Sequence, residues 1–313
     1  MIRYLLRRVG GLLAVMLMVA VIVFVIVRVV PGDPAAVMLG TAATPADIAR
    51  LRTELGLDRP LAVQFLIYLK QIASLDLGRS LFLNEPVAWA LWQRAELTSL
   101  LTLLAAGLSV AIGVPVGVVS AVRRGSWLDQ TATAVSMFAA SVPSFWVGLT
   151  LIEIFAVHNP WFPVSGWGGP GAGLAEHLRH LVLPACALGL PNSALIIRFT
   201  RTSMLDVLQE DYVRTARAKG VRPAGVVMRH AFRNAMIPVL TVVGLTVATL
   251  IGGAIVTETV FGLPGVGNLI VSAVLRRDYP VIQGTLLVIS GLYVLINLLV
   301  DLLYALADPR VRF

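Results

Sequence analysis

Leu97–Val122 reads LTSLLTLLAAGLSVAIGVPVGVVSAV, without one charged side chain. As an α-helix this run is about 39 Å long at ~1.5 Å per residue, enough to cross a hydrocarbon core of about 30 Å. Its residues do not alternate apolar with polar, which argues against a membrane-spanning β-strand. Further uncharged runs occupy 9–27, 130–152, 234–257 and 279–300, and a shorter one covers 181–197. Together they predict an all-α polytopic membrane protein with six transmembrane helices. The composition agrees: of 313 residues 58% are hydrophobic and 13% charged, and mean hydropathy is +0.85. Soluble domains carry about 25% charged residues, and a soluble surface cannot hide this much apolar area. A soluble enzyme, a collagen-like fibre and a disordered chain are thereby excluded.

The first run follows Arg3, Arg7 and Arg8. It is too long for a signal-peptide core, and no A-x-A cleavage site precedes Pro31-Gly32-Asp33-Pro34. Residues 1–30 therefore read as a retained N-terminal transmembrane helix, stopped by the two prolines. Basic residues set the orientation. Arg123, Arg124 and the cluster from Arg198 to Arg233 fall on the same side as the terminal arginines. The two short loops opposite hold only Arg179, Arg276 and Arg277. The positive-inside rule then places both termini in the cytoplasm. It puts the net charge of +8 at the cytoplasmic membrane face, which gives no reason to invoke nucleic acid. The single cysteine, Cys186, excludes a disulfide framework.

Two regions outside the spans carry local order. Residues 31–96 form an extracytoplasmic helical loop. Within it Thr44-Pro45-Ala46-Asp47 marks a helix start, with Thr44 as N-cap and Pro45 in the first turn. That helix ends near Leu55-Gly56, and a second carries Leu61, Phe65, Leu69 and Ile72 on one stripe. The loop is either a cap over the outer mouth or a docking surface for a delivery protein. Residues 199–234 are cytoplasmic. From Thr202 to Gly220 the pattern predicts one helix with a stripe of Leu205, Leu208, Tyr212 and Ala216. Gly220 and Pro223 are stop signals, and a short helix at about 224–234 leads into the fifth span. Thr215-Ala216-Arg217-Ala218-Lys219-Gly220 mixes small side chains with cations, which suits a short helix seated in a partner's groove. An interfacial helix on anionic lipid would show the same periodicity.

Asp211-Tyr212-Val213-Arg214-Thr215-Ala216-Arg217-Ala218-Lys219-Gly220 resembles the cytoplasmic coupling loop of ATP-binding-cassette importer permeases, in the dipeptide/oligopeptide/nickel branch. Pro31-Gly32-Asp33-Pro34, Leu55-Gly56-Leu57-Asp58-Arg59-Pro60, Asp76-Leu77-Gly78-Arg79-Ser80 and Ser141-Val142-Pro143-Ser144-Phe145-Trp146 are similar to further motifs of that branch. So are Glu258-Thr259-Val260-Phe261, Arg277-Asp278-Tyr279-Pro280 and Asp308-Pro309-Arg310. The general importer signature opens Glu-Ala-Ala; Arg214-Thr215-Ala216 takes those places here, and only Ala216 and Gly220 match it. The resemblance implies a type I importer permease fold, with a MetI-like five-helix core over 97–313 that includes the coupling region 199–234. It also implies a second homologous permease, two ATPase subunits that bind ATP and Mg, and an extracytoplasmic substrate-binding protein that delivers peptide. The residues it points to as ATPase-coupling are Asp211, Tyr212, Arg214, Thr215, Ala216, Arg217, Ala218, Lys219 and Gly220. The location it implies is the bacterial inner membrane.

Other chemistry is weakly represented. The two lysines, Lys70 and Lys219, sit in no G-x-x-x-x-G-K-[ST], so ATP hydrolysis falls to a partner. Neither H-E-x-x-H nor G-x-S-x-G occurs. His177 and His180 with Glu176 form a weak metal-like pattern beside a span entrance. Charges near predicted span ends, Arg28, Glu153, Arg198, Glu258 and Asp301, can snorkel. Glu153 lies deepest, which makes it the candidate for a pathway or inter-subunit role. Gly113-x-x-x-Gly117 with Pro115 is a close-packing device. A secondary transporter would show an internal repeat, and none is visible between the two halves. A membrane-embedded enzyme would need a nucleophile or metal constellation.

Overall fold

The computed structural model describes residues 2–29, 34–39, 43–54, 56–80, 82–169 and 171–307. Among them there is no strand, only an isolated bridge between Arg79 and Pro86. The helices are α1 (Ile2–Val29), α2 (Pro34–Leu39), α3 (Pro45–Glu54), α4 (Leu61–Ala73), α5 (Val87–Val122), α6 (Trp127–Ser141) and α7 (Ser144–Ile152). They continue with α8 (Leu174–Leu208), α9 (Asp211–Ala218), α10 (Pro223–Gly225), α11 (Phe232–Val260), α12 (Val266–Arg276) and α13 (Tyr279–Ala307). Two π-helical turns, Glu153–His158 and Val226–Ala231, follow α7 and precede α11. Pro31-Gly32-Asp33 and Asp308-Pro309-Arg310 lie outside the described residues.

Among the described residues four helical stretches are long and apolar enough to cross a membrane: Val87–Val122, Leu174–Leu208, Pro223–Val260 and Tyr279–Val300. The run 130–152, expected as one span, falls in a bent pair of helices that meet at 96°. The cause is Pro143, which pushes its predecessor out of the helical region. Val142 is extended at φ −88°, ψ 126°. The short run 181–197 proves to be the middle of the 35-residue α8, which continues through Pro184 and Pro191. Helix α12 was not visible in the periodicity.

The chain divides into two compact units, residues 1–96 with 265–294 and residues 97–264 with 295–313. In the first, Ala20 and Phe24 of α1 pack with Tyr68 of α4 and Leu287 of α13. Arg28 donates from Nε and Nη2 to Gln64 Oε1 at 3.0 and 2.9 Å, and its guanidinium lies 3.4 Å over the Phe24 ring. Phe65, Leu69 and Ile72 of the expected stripe pack against this core, while Leu61 stays exposed and Gln64 is buried beside them. Thr44 caps α3 as expected, accepting from the Asp47 N–H at 3.3 Å.

The second unit is built on α8. Its core gathers Leu101, Leu181, Leu188, Leu250, Phe261 and Leu263 from α5, α8, α11 and the turn after α11. Glycines let α5 and α8 approach closely. A Cβ at Gly113 would stand 2.6 Å from Ile196 Cβ, and one at Gly117 2.6 Å from Thr200 Cβ and 2.8 Å from the Ile197 carbonyl. Gly189 of α8 answers from the other side, with the Ala105 carbonyl 2.8 Å from its Cβ position. Ser109 Oγ donates to the Gly189 carbonyl at 2.8 Å across the same contact.

Candidate functional site

The segment 199–234 folds as a helix end, a short helix and a π-helical turn around a small core. Helix α8 stops at Leu208, and Glu210 is extended at φ −64°, ψ 147°, so the single helix expected from Thr202 to Gly220 is broken there. Ala121, Met204, Ala231 and Ala235 form the core, with Leu205, Leu208 and Val227 against it. Helix α9 packs on the π-helical turn. Its buried residues are Val213 and Ala216, whereas Tyr212 is 42% exposed. Of the expected stripe Ala216 stays buried, while Val213 takes the inward place of Tyr212, because the extended Glu210 interrupts the helix.

Each candidate residue has a place on α9 or its cap. Asp211, Arg214, Thr215, Arg217, Ala218, Lys219 and Gly220 are exposed. Ala216 is 7% exposed, so its small size serves this chain's own packing rather than leaving room for a partner. Tyr212 accepts a hydrogen bond from Asn234 Nδ2 at 2.8 Å, which ties α9 to the start of α11. Arg214 faces Asp211 at 3.4 Å with both side chains open to solvent, a pair worth little to stability. At the C-terminus the Val221 N–H bonds the Ala216 carbonyl at 3.2 Å and the Gly220 N–H the Arg217 carbonyl at 3.0 Å. This paired closure requires a left-handed residue, and Gly220 supplies it at φ +80°.

Glu153 stands apart from this group. It opens the π-helical turn after α7, is exposed, and faces His158 Nδ1 at 3.2 Å. The carboxylates buried in the second unit are others. Glu258 is fully buried and accepts from Thr98 Oγ at 2.6 Å. Asp129, at the start of α6, is buried and gripped by Arg201 of α8 through two bonds of 2.6 and 2.9 Å. Spacing could not reveal that pair, since its members are 72 residues apart; the only sequence signal was Ser126, which caps α6 three residues before Asp129. His177 stacks on Trp167 with ring centroids 4.2 Å apart, and His180 Nε2 lies 3.4 Å from Glu176. The two histidines thus take separate partners. Among the described residues no three metal-ligating side chains gather.

The second unit is thus a set of apolar helices held by close glycine contacts, with a packed helix–turn segment between α8 and α11. Residues 113–313 match the family described as binding-protein-dependent transport system inner membrane component. Residues 1–91 match that family's N-terminal domain. The chain is 48% identical over 310 residues to a probable peptide ABC transporter permease of Sinorhizobium fredii, covering 99% of each chain. It is 41% identical over 337 residues to the dipeptide transport system permease of Escherichia coli, covering 100% of this chain and 99% of that one. The membrane subunit in an inward-facing structure of the MetNI methionine ABC transporter superposes with a TM-score of 0.60, at 20% identity, over 71% of this chain and 97% of that one. The chain belongs to the family of binding-protein-dependent transport system inner membrane components. It is a multi-pass permease of the bacterial inner membrane with the ABC importer permease fold.

Proposed function

We propose that this chain is one of two permease subunits of an ATP-driven importer of short peptides, and that α9 with its flanking turns receives the motion of the ATPase subunits. In this reading six spans cross the membrane with both termini in the cytoplasm, 31–96 faces outward, and a binding protein delivers the peptide there. ATP is bound and hydrolysed by the partner subunits. The peptide class is supported by the names of the relatives in Sinorhizobium and Escherichia, similar over the full length.

One observation carries the coupling role: α9 buries its apolar side, Val213 and Ala216, within the chain. It has no free apolar face with which to enter lipid, which disfavours an interfacial anchor. What it leaves exposed is Arg214, Thr215, Arg217 and Ala218, a small and cationic surface on a helix braced from behind. Such a braced element transmits displacement as a unit.

The test is uptake of labelled dipeptide by proteoliposomes holding the assembled transporter, with ATP inside and binding protein outside. Ala218→Trp and Arg217→Glu are expected to insert normally and to abolish ATP-driven uptake. Uptake at the unmodified rate in both variants would assign α9 to a passive role.

A further inference from the structure

The pair Asp129–Arg201 lies outside 211–220. Asp129 is 4% exposed, and both of its oxygens are fully engaged. Oδ1 accepts from Arg201 Nε at 2.6 Å and from the Ser120 hydroxyl. Oδ2 accepts from Arg201 Nη2 at 2.9 Å and from the Gly125 N–H at 2.9 Å. Ser120 stands at the end of α5, Gly125 in the turn that follows, Asp129 in the first turn of α6, and Arg201 two turns before the end of α8. One carboxylate thus joins a helical corner to a third helix.

Stability alone is a poor reason for this arrangement. Asp129 is withdrawn from water while the Arg201 side chain stays 28% exposed, and the desolvation of a buried carboxylate offsets much of what the attraction returns. A two-pronged guanidinium–carboxylate fork does fix direction and register. What it fixes follows from its neighbours. Three residues beyond Arg201, Met204 enters the core that holds Ala121, Ala231 and Ala235. That core joins the ends of α5 and α8 to the π-helical turn and to α11. Helix α9 packs on the same turn and is tied to α11 through Tyr212 and Asn234. Apolar contact is non-directional, whereas the fork fixes direction and register as well.

We infer that Asp129 and Arg201 are positioning residues that lock the α5–α6 corner to the base of α9, so that displacement of α9 reaches the bent pair α6–α7 undiminished. The inference rests on the coupling role proposed above. The polar grip adds a directional link to that apolar contact. Without it the corner lags behind α8, and ATP is spent without completing the switch of the path.

The experiment measures ATP hydrolysed per dipeptide taken up by the assembled transporter in proteoliposomes. Asp129→Asn keeps the shape and removes the charge. It is expected to retain ATP hydrolysis while the ratio of ATP to peptide rises several-fold. Arg201→Lys keeps the charge but loses the fork and is expected to raise the ratio as well; it carries the test if Asp129→Asn fails to accumulate. The double variant Asp129→Asn/Arg201→Gln, a neutral hydrogen-bonding pair, is expected to raise it no further than the single changes, because the residues act together. Fewer assembled complexes with an unchanged ratio would overturn the inference, since a merely structural pair lowers yield and leaves coupling intact. Uptake unaffected by Ala218→Trp and Arg217→Glu would instead bring down the coupling role itself, and no ATP-driven uptake by the unmodified transporter would bring down the peptide-import reading.

Discussion

Replacing Gly117 by alanine adds one methyl at the closest approach of α5 and α8. The added carbon would stand 2.6 Å from Thr200 Cβ and 2.8 Å from the Ile197 carbonyl oxygen, whereas unstrained carbon contacts lie at about 3.5–4.0 Å. One of the two obstacles is backbone, so the clash cannot be relieved by a rotamer change, and the helices must separate by roughly 1 Å. Overpacking of this kind costs about 1–3 kcal/mol. Separation also stretches the Ser109–Gly189 bond, now 2.8 Å, worth about 1 kcal/mol. Against this, alanine gains about 1 kcal/mol over glycine in helix propensity. The net expectation is a loss of about 1–3 kcal/mol by the same estimates. Gly107 on the same helix is the control, because nothing lies within 4 Å of its Cβ position. Gly107→Ala should therefore be neutral or stabilising. The assay is equilibrium unfolding of the purified chain in mixed detergent micelles, followed by tryptophan fluorescence. Equal stabilities for the two variants would refute the close-packing argument.

Gly220→Ala forces a side chain into the left-handed conformation at φ +80°, costing about 1–2 kcal/mol; faster amide exchange over 211–219 with unchanged exchange in α8 is the expected signature. Glu258→Ala removes a fully buried carboxylate that accepts from Thr98 and should destabilise by about 1–3 kcal/mol. In the same unfolding assay Glu153→Ala, at an exposed position, should stay within about 0.5 kcal/mol. The hydroxyl and N–H of Thr44 hold the Asp47 carboxyl below the usual carboxylate range. Its folded pKa is depressed, so its support of α3 is present above the unfolded value of about 3.9 and is lost as pH falls through the folded pKa. Carbon-detected titration of Asp47 should show that depression, and Thr44→Ala, which removes the hydroxyl but keeps the N–H, should reduce it.

The architecture was legible where hydrophobicity and punctuation agree. Uncharged runs located the long helices, Thr44 and Asp47 marked the start of α3, and Gly113 with Gly117 marked a close contact. What escaped depends on groups distant in sequence. Gln64 is buried because Arg28 and the carbonyls of Leu57 and Arg59 satisfy its amide, and no periodicity encodes that. Charge and depth along the chain singled out Glu153, yet among the described residues the buried acids are Glu258, Asp129 and Asp278, each with a partner distant in sequence. The break at Glu210 turned Val213 inward in place of Tyr212, since the stripe was read through an interruption. Pro143 was visible in the sequence, but the 96° turn it permits was not.

The most direct test of the coupling role places a photo-crosslinking residue at Ala218 in the tagged chain, with a second version at Glu54 in α3 as control. The chains are irradiated in native membranes and purified, and the adducts are identified by mass spectrometry. An adduct with a nucleotide-binding ATPase subunit at position 218, absent at position 54, is the expected result. Adducts with lipid alone at position 218, from membranes in which the transporter is assembled, would contradict it.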